Sequence, residues 1–465
     1  MRGIKALYLR DDRTFAALLL ILASPASAQS CDVTAITPDY KAAVAHGGWE
    51  YRIIANGLRR PRGIVVDSSG ALLVVDSGSG IKRIVLEDRG GTCFAVREQT
   101  TLVGLSELNH GIALDSQNGI LYASSSDKVY SWAYNASAGT VSQSRNTVVE
   151  GMDNSGHTTR TLLLSAKVPG TLLVSRGSDG NVDEEAKDIS SGHCQIKAFN
   201  LSSTAQDFTS SGTILGWGLR NSVGVAEDPV TGGIWSVENS VDQLRRNGRD
   251  IHQDNPGEEM NFHGYLNGTS TEESGGNFGY PSCFALWSTE NFPDRGDLKT
   301  GDQFAPSAGD GVDDGTCNSD FVAPRITFQA HTAPLDIKFA EDGSEAIVSF
   351  HGSWNRDNPV GYAVSSIPFK DGQPVAASDS TSAAEAILSN ADLGDCPGNC
   401  FRPVGLAWGS DGRLFMTSDA TGEIYVLQKT GATGSSGDDE NSANHVKGRS
   451  WFALIPVGIL ALALL

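Results

Sequence analysis

Short apolar segments separated by turn residues recur along the chain and form its main pattern. Each unit contains an apolar strand, a turn with Asp or Gly, a second apolar strand, a polar loop and a third strand. The units begin PRGIVVDSSGALLVVD, NHGIALDSQNGILYAS, TRTLLLSAKVPGTLLVS, NSVGVAEDPVTGGIWSV, PLDIKFAEDGSEAIVSF and PVGLAWGSDGRLFMTS. Strands of period two, repeated at this scale, are typical of a β-propeller, whereas tandem β-sandwiches would not repeat one turn sequence so closely. The pattern predicts an all-β, six-bladed β-propeller.

One long segment interrupts the repeat. It runs from about Asn247 to Ala333, between the fourth and fifth repeat units, and is rich in Gly, Asn, Asp and Pro. Long loops of this kind usually carry function. Nowhere does an apolar period of 3.6 persist beyond a turn or two, so no long helix is expected. The prediction is therefore a propeller with a long loop insertion.

The N-terminus resembles a targeting signal. Basic residues precede the apolar run FAALLLIL, and small residues follow up to Ala28. This order predicts a secretory signal peptide over residues 1–28. A membrane anchor is disfavoured, because the apolar run is shorter than the roughly 20 residues that a spanning helix needs. The propeller is then expected over residues 29–430.

The C-terminus has a second targeting pattern. A polar linker with small residues, 431–450, precedes an apolar tail, 451–465. This pattern predicts a glycolipid (GPI) anchor signal, with attachment near Ser435 and Ser436 or near residues 441–443. A plain transmembrane helix is the alternative. The expected location is secreted and GPI-anchored at the outer cell surface.

The cysteines and glycosylation signals fit a secreted protein. Seven cysteines leave one over after pairing. Proximity favours Cys396–Cys400 and Cys283–Cys317, and Cys31–Cys93 would then hold the N-terminus, leaving Cys194 as a buried thiol. N-glycosylation sequons occur at Asn135, Asn200 and Asn267, which are expected at the surface.

Charge limits the partners. The formal net charge is −20, which argues against nucleic acid and against an anionic membrane surface. Contact with a membrane is expected only through the anchor. Arginines gathered in one place in so acidic a chain would indicate a polyanionic ligand.

Candidate site residues lie at the segments that lead into strands of different units. In a propeller these segments converge on one face around the axis, so residues far apart in sequence would line one pocket. A lone histidine or arginine at the edge of a strand is more often structural. When such residues recur at the equivalent edge of several repeat units, a binding or active site is favoured. The residues are Asn109, His110, His157, Arg160, Arg220, Asn221, His331, His351, Arg356 and Arg402.

Several motifs together resemble the glucose/sorbosone dehydrogenase group of quinoproteins, most closely the secreted fungal pyrroloquinoline quinone (PQQ)-dependent pyranose dehydrogenases. They include NHGIALD, GHTTRTLLLS, GLRNSVG, VENSVDQL, HQDNPGEEMNFHG, QAHTAPLDIKF, SFHGSWNR and RPVGLAW, in this order. They extend over nearly the whole predicted mature chain. The resemblance implies PQQ at the propeller axis, chelated to Ca²⁺, and oxidation of pyranose or keto-sugar substrates.

The resemblance also implies roles for individual residues. His157 matches the general base, which takes the hydroxyl proton of the sugar while the C–H hydrogen leaves as hydride to the quinone. Arg220 matches the group that stabilises the developing oxyanion. The backbone oxygens of Ser240 and Val241 match the calcium-binding turn, although distant relatives have Gly-Pro there. The expected cofactor-binding residues are Asn109, His110, Arg160, Asn221, His331, Arg356 and Arg402; for Arg160, support of His157 is the alternative role.

Other functions are compatible with a propeller. A calcium-dependent lactonase-type hydrolase would surround the axis with carboxylates and asparagines, and a non-catalytic cell-surface propeller would lack the axial cluster. The resemblance instead implies electron transfer to an external acceptor such as a cytochrome or quinone. Trp217, Trp287 and Trp354 are expected in the core, with sugar stacking as the alternative.

Overall fold

A computed structural model describes residues 31–203, 205–307 and 311–430. The predicted signal peptide (1–28), polar linker (431–450) and apolar tail (451–465) lie outside the described residues. Within the described part of the chain, no helix has the length and apolar character needed to cross a membrane.

The strands form six blades around a central axis, as the repeat pattern predicted. Each blade is built on four antiparallel strands, and the first strand of each unit lies innermost, against the first strands of its neighbours. The strands of blades 1 to 3, from the axis outwards, are Pro61–Val66, Leu72–Asp76, Gly80–Asp88 and Phe94–Val103; Ile112–Asp115, Ile120–Ser124, Val129–Asn135 and Asn146–Glu150; and Leu162–Leu164, Thr171–Arg176, Gln195–Asn200 and Thr213–Trp217. Those of blades 4 to 6 are Ser222–Glu227, Gly233–Glu238, Glu258–Tyr265 and Ile326–Phe328; Pro334–Phe339, Glu345–Phe350, Ala363–Lys370 and Glu385–Ser389; and Pro403–Trp408, Leu414–Ser418, Glu423–Lys429 and Trp49–Ala55.

The ring is closed by the N-terminal strand. Trp49–Ala55 pairs antiparallel with Glu423–Lys429, with Trp49 opposite Lys429. The last blade therefore takes its outer strand from the start of the chain, and the apolar side chains of Trp49 and Ile53 complete its core.

Burial on both faces explains the continuous apolar second strands. Leu72 and Val74 pack into the cluster shared with blade 6, whereas Leu73 and Val75 pack into the cluster shared with blade 2. All four side chains are fully buried. A strand covered on both sides needs no polar alternation, so it reads as an apolar run.

The long segment between the fourth and fifth repeat units contains strands as well as loops. The range 247–333 contains the two outer strands of blade 4, so the long loops lie inside that blade, before Glu258–Tyr265 and between Tyr265 and Ile326. These strands were missed because long loops separate them from their partners and break the repeat. Shorter elements outside the four-stranded blades are the strands Val44–Ala45, Thr140–Val141, Gln206–Asp207, Arg245–Arg246, Arg249–Asp250, Gly276–Asn277, Phe284–Ala285, Gln303–Phe304 and Gln373–Pro374, the α-helix Asp314–Asp320 and the 3₁₀ turns Glu184–Lys187, Ile189–Ser191 and Leu393–Asp395.

The predicted cysteine pairing is confirmed. Disulfides join Cys31 to Cys93, Cys283 to Cys317 and Cys396 to Cys400, and Cys194 is a buried free thiol. The sequon residues Asn135, Asn200 and Asn267 are all exposed.

Candidate active site

The site is built by two sets of chain segments that reach one end of the axis. Because neighbouring strands are antiparallel, the start of each first strand lies beside the end of the second strand. Pro61 is thus opposite Asp76, Ser222 opposite Glu238, and Pro403 opposite Ser418. The segment before each first strand and the segment after each second strand therefore share a face.

His157 lies on the segment that leads into blade 3. Its Nδ1 is 2.8 Å from the Ser178 hydroxyl oxygen, and its backbone N–H donates to the Ser178 carbonyl at 2.9 Å. Among the described residues, no protein group hydrogen-bonds Nε2. Burial, with the positive charge of Arg220 added, lowers the pKa of His157 to about 3. The imidazole is therefore neutral at pH 7 and has a free nitrogen.

Two glycines allow this segment to approach its neighbours. A Cβ on Gly177 would lie 2.6 Å from Asn221 Oδ1 and 2.8 Å from His157 Cβ. A Cβ on Gly156 would lie 2.1 Å from the Gly180 nitrogen. Gly177 therefore lets His157 and Asn221 converge, and the Asn221 side chain has no hydrogen-bond partner among the described residues.

Arg220 connects blades 3 and 4. Its guanidinium donates to the Asn181 carbonyl (3.0 Å), Asn181 Oδ1 (2.8 Å), the Asn239 carbonyl (3.1 Å) and Asp242 Oδ2 (3.3 Å). Since guanidinium has five N–H donors, one on Nη1 remains for a ligand. Asp242 also accepts from Asn355 Nδ2 at 2.7 Å, so it joins blades 4 and 5 behind the arginine.

Arg160 supports the His157 segment. It is fully buried, and its guanidinium donates to the carbonyls of His157 (2.7 Å), Thr159 (2.8 Å) and Met152 (2.6 Å). These contacts match the supporting role that the sequence allowed beside cofactor binding. Asn109 joins the same segment by donating from Nδ2 to the Thr158 carbonyl at 2.9 Å.

A second group of polar residues lies across the axis, between blades 5, 6 and 1. Asp419 accepts from Arg62 at 2.7 Å and lies 2.8 Å from His351 Nε2. Arg402 donates to the carbonyls of His351 (3.0 Å) and Gly352 (2.7 Å). Its Nη1 has no hydrogen bond to any described residue, so this arginine also keeps donors for a ligand.

His110 lies deeper, on the axis itself. The innermost strands line a cavity of about 200 Å³ that His110, Thr161, Asp336 and Lys338 border. His110 Nδ1 is buried and has no hydrogen-bond partner in the part of the chain that the structure describes. Burial, with the charges of Arg62 and Lys338, lowers the pKa of this imidazole.

His331, Arg356 and Trp354 lie on the blade 5 side. His331 hydrogen-bonds the His252 carbonyl through Nε2, and its Nδ1 is 3.8 Å from Asp242. Arg356 donates to Asp254 at 3.2 Å, while its Nη1 is buried and none of the described residues accepts from it. Trp354 is 65 % exposed, so the expectation that it fills the core is wrong.

The turn after the second strand of blade 4 contains Ser240 and Val241. The Ser240 N–H donates to Glu258 Oε2 at 2.6 Å. Neither carbonyl, of Ser240 or of Val241, accepts a hydrogen bond from the described residues. Burial raises the pKa of Glu258 to about 8. In the described part of the chain, no three His, Cys, Asp or Glu side chains are grouped to hold a metal.

Sequence reasoning missed several residues that organise this site. They are Arg62, Ser178, Asn181, Asp242 and Asp419. Ser178, Asp242 and Asp419 follow the second strands of blades 3, 4 and 6. The antiparallel pairing that located the first set of segments would have located these too, because a second strand ends where the first begins.

The fold and the site together define a class of protein. A propeller whose axial site carries an imidazole and several guanidinium groups agrees with the quinoprotein dehydrogenases that the sequence motifs resemble. A profile of the TrAA12-like family matches residues 43–430. The chain is 51% identical over 427 residues to a PQQ-dependent sugar dehydrogenase of Hypocrea jecorina, an alignment that covers 90% of this chain and 97% of that protein.

Solved structures agree with these matches. The calcium structure of the Trichoderma reesei family AA12 enzyme superposes with a TM-score of 0.83 at 53% identity, covering 85% of this chain and 99% of that one. The holo PQQ domain of Coprinopsis cinerea pyranose dehydrogenase gives 0.79 at 36% identity, covering 85% and 98%. The curated Coprinopsis pyranose dehydrogenase is longer, and this chain spans 55% of it. The chain belongs to the TrAA12-like family of PQQ-dependent sugar dehydrogenases and is an oxidoreductase.

Proposed function

We propose that this protein oxidises pyranose or keto-sugar substrates, with PQQ held at the propeller axis. The observation that carries the proposal is the free Nε2 of a neutral His157 beside guanidinium groups that still have unused donors. A lactonase-type propeller would instead present carboxylates and asparagines around a metal ion.

The residues present fit a planar tricarboxylate. Arg402 and Arg356 have guanidinium nitrogens without partners among residues 31–203, 205–307 and 311–430, and Arg220 has one remaining N–H there. These three residues would hold the carboxylates and the quinone oxygen. Asn109 Oδ1 and His110 Nδ1 are buried polar atoms to which no described residue hydrogen-bonds, so a bound cofactor could supply their partner. When bound, PQQ supplies the acceptor for a hydride equivalent from the sugar carbon, chemistry that no side chain offers.

The side chains then perform the acid–base and electrostatic work. His157 Nε2 accepts the proton of the sugar hydroxyl, since the imidazole is neutral at pH 7 and no described residue hydrogen-bonds this nitrogen. Arg220 keeps positive charge beside the oxygen that becomes more negative, and its bonds to Asn181 and Asp242 hold it in place before reaction. Arg160 holds the His157 backbone, so the imidazole does not drift from its position.

Calcium is part of the proposal. The carbonyls of Ser240 and Val241 accept no hydrogen bond from the described part of the chain, and backbone oxygens are ligands that Ca²⁺ accepts. Glu258 fixes the turn by accepting from the Ser240 N–H. The metal would act there as a Lewis acid on an oxygen of the cofactor.

We also propose that the mature protein is secreted, is GPI-anchored at the outer cell surface and passes electrons to an external acceptor such as a cytochrome or quinone. Support comes from the predicted terminal signals, the three disulfides and the exposed sequons. Release from cells by a phosphatidylinositol-specific phospholipase is the expected result, and a protein that stays with the membrane would contradict the anchor.

Reconstitution tests the enzymatic proposal. The purified apoprotein is titrated with PQQ, with and without Ca²⁺, and binding is followed by absorbance. The reconstituted protein is then given a panel of pyranoses and keto-sugars with an electron-accepting dye. Tight binding with sugar-dependent dye reduction is expected. Binding without reduction across the panel would contradict the substrate class, no binding would contradict the cofactor, and lactone hydrolysis with Ca²⁺ alone would establish the alternative.

A further inference from the structure

The Ser178 hydroxyl has two close hydrogen-bond partners, and the Tyr280 hydroxyl, which donates to the Asn181 carbonyl, lies near it as well. The Ser178 oxygen is 2.8 Å from His157 Nδ1 and 2.7 Å from the carbonyl oxygen of Gly180. A carbonyl oxygen can only accept, so the single hydroxyl proton of Ser178 is donated to Gly180. The serine oxygen therefore has only lone pairs to offer the imidazole, and Nδ1 is the ring nitrogen that carries hydrogen.

We propose that Ser178 is a positioning residue that fixes the Nδ1–H tautomer of His157 and thereby leaves the Nε2 lone pair as the proton acceptor. The inference rests on the proposed function, in which His157 is the base. It assigns a role to a residue that sequence reasoning did not select. Without a fixed donor bond at Nδ1, a neutral imidazole exchanges between tautomers, and only one of them can accept at Nε2.

The backbone holds both residues in this relation. The His157 N–H donates to the Ser178 carbonyl at 2.9 Å, and the Ser178 N–H donates to the Arg220 carbonyl at 2.8 Å. Ser178 is fully buried. One residue therefore connects the base segment to the segment of Arg220.

A hydroxyl also differs from a carboxylate in charge. The cations near the imidazole are Arg220 and Arg160, and both act against a second positive charge. The carboxylates on the segments that pack against His157 have other partners. Asp179 accepts from Ser155, and Asp183 accepts from His193 and the Asp179 N–H. Asp242 accepts from Arg220 and Asn355, while Asp153 lies beside Arg160 and Ser126. Ser178 orients His157 without adding the negative charge that would favour the imidazolium.

Nitrogen NMR of [¹⁵N]histidine-labelled apoprotein tests the tautomer directly. His157 is assigned by the resonance that disappears in H157Q. We expect a protonated Nδ1 and an unprotonated Nε2 at pH 7, a mixture of tautomers in S178A, and the wild-type pattern in S178T. A protonated Nε2 in the wild type, or an unchanged pattern in S178A, would overturn the proposal.

Kinetics of the reconstituted enzymes provide the second readout. We expect S178A to lower kcat about 10- to 100-fold with KM nearly unchanged, and S178T to recover most of the rate. S178D should move the acid limb of kcat/KM to higher pH, because a carboxylate favours the imidazolium. A normal kcat in a folded S178A would overturn the role. If no sugar is oxidised by any variant, the proposed function fails, whereas the NMR result still decides the tautomer.

Discussion

Two histidines at the same end of the axis form hydrogen bonds with partners that differ in charge. His157 places Nδ1 on the neutral hydroxyl of Ser178, whereas His351 places Nε2 on the carboxylate of Asp419, which also binds Arg62. Burial lowers the pKa of both imidazoles, and for His351 the hydrogen bond to Asp419 opposes that shift. One imidazole is oriented without charge, and the other is part of an ion network. The comparison separates a residue suited to proton transfer from one suited to holding blades together.

Replacing each histidine should give the largest difference between the two regions. H157A removes the proposed proton acceptor, so we expect kcat to fall about 10²- to 10⁴-fold, with PQQ affinity nearly unchanged. H351N keeps a polar side chain beside Asp419 and should change kcat less than about tenfold. Stopped-flow or steady-state dye reduction measures the rates, and PQQ titration by absorbance measures the affinity.

A loss of kcat in H351N as large as that in H157A would contradict the assignment of His157 as the base. If H351N lost activity as strongly as H157A while keeping its fold and its PQQ affinity, the histidine bound to the carboxylate would be the base. Circular dichroism and thermal unfolding of both variants exclude a general loss of structure as the cause.

The repeat made much of this architecture predictable. Six first strands, each followed by a turn with Asp or Gly, predict six blades, and the segments before them bring together His157, Arg220 and Arg402. The outer strand of blade 6 was not predictable from the repeat, because Trp49–Ala55 pairs with the other end of the chain. Pairing between distant segments depends on the closed ring, and local periodicity does not contain that information.

The direction in which side chains point was a second feature that could not be predicted from the sequence. Arg160 stands three residues after His157, and the sequence could not decide whether its guanidinium faced a cofactor or the backbone. In the folded chain it faces three carbonyls of its own segment. The direction of the Trp354 side chain was also not predictable, since this aromatic residue was expected in the core and is 65 % exposed. Both outcomes depend on loop conformations that are not periodic.

The ion network around Asp419 should be measurable as stability. Burial disfavours the ionised carboxylate, but His351 and Arg62 outweigh this effect and hold the pKa of Asp419 well below its usual range. D419N leaves Arg62 without its partner, and both side chains are about five-sixths buried. Breaking such a pair costs about 3 kcal/mol. Denaturant unfolding at pH 7 measures the loss, with D392N, at the exposed pair of Asp392 with Lys41, as a control expected to cost much less.

The pH dependence of this loss has a definite sign. A carboxylate whose pKa is depressed in the folded state contributes stability above the unfolded pKa, about 3.9 for Asp, and loses it as the pH falls towards the folded pKa. The difference between wild type and D419N should therefore be full at pH 7 and shrink below about pH 4. A difference that stays constant down to pH 3 would show that packing, rather than charge, sets the cost.

The smallest expected effect is the change in kcat/KM of the holoenzyme in mild acid. His157, the proposed base, has a pKa of about 3 in the protein, because burial and Arg220 disfavour the imidazolium. From pH 8 to pH 5, protonation of His157 should therefore lower kcat/KM by less than about twofold. An imidazole with the ordinary pKa of about 6.5 would lose about thirtyfold by pH 5. Initial rates with a dye whose potential is independent of pH measure the profile, and H351N should leave it unchanged. An acid limb near pH 6.5 that vanishes in H351N would transfer the role of base across the axis, to the imidazole that binds Asp419.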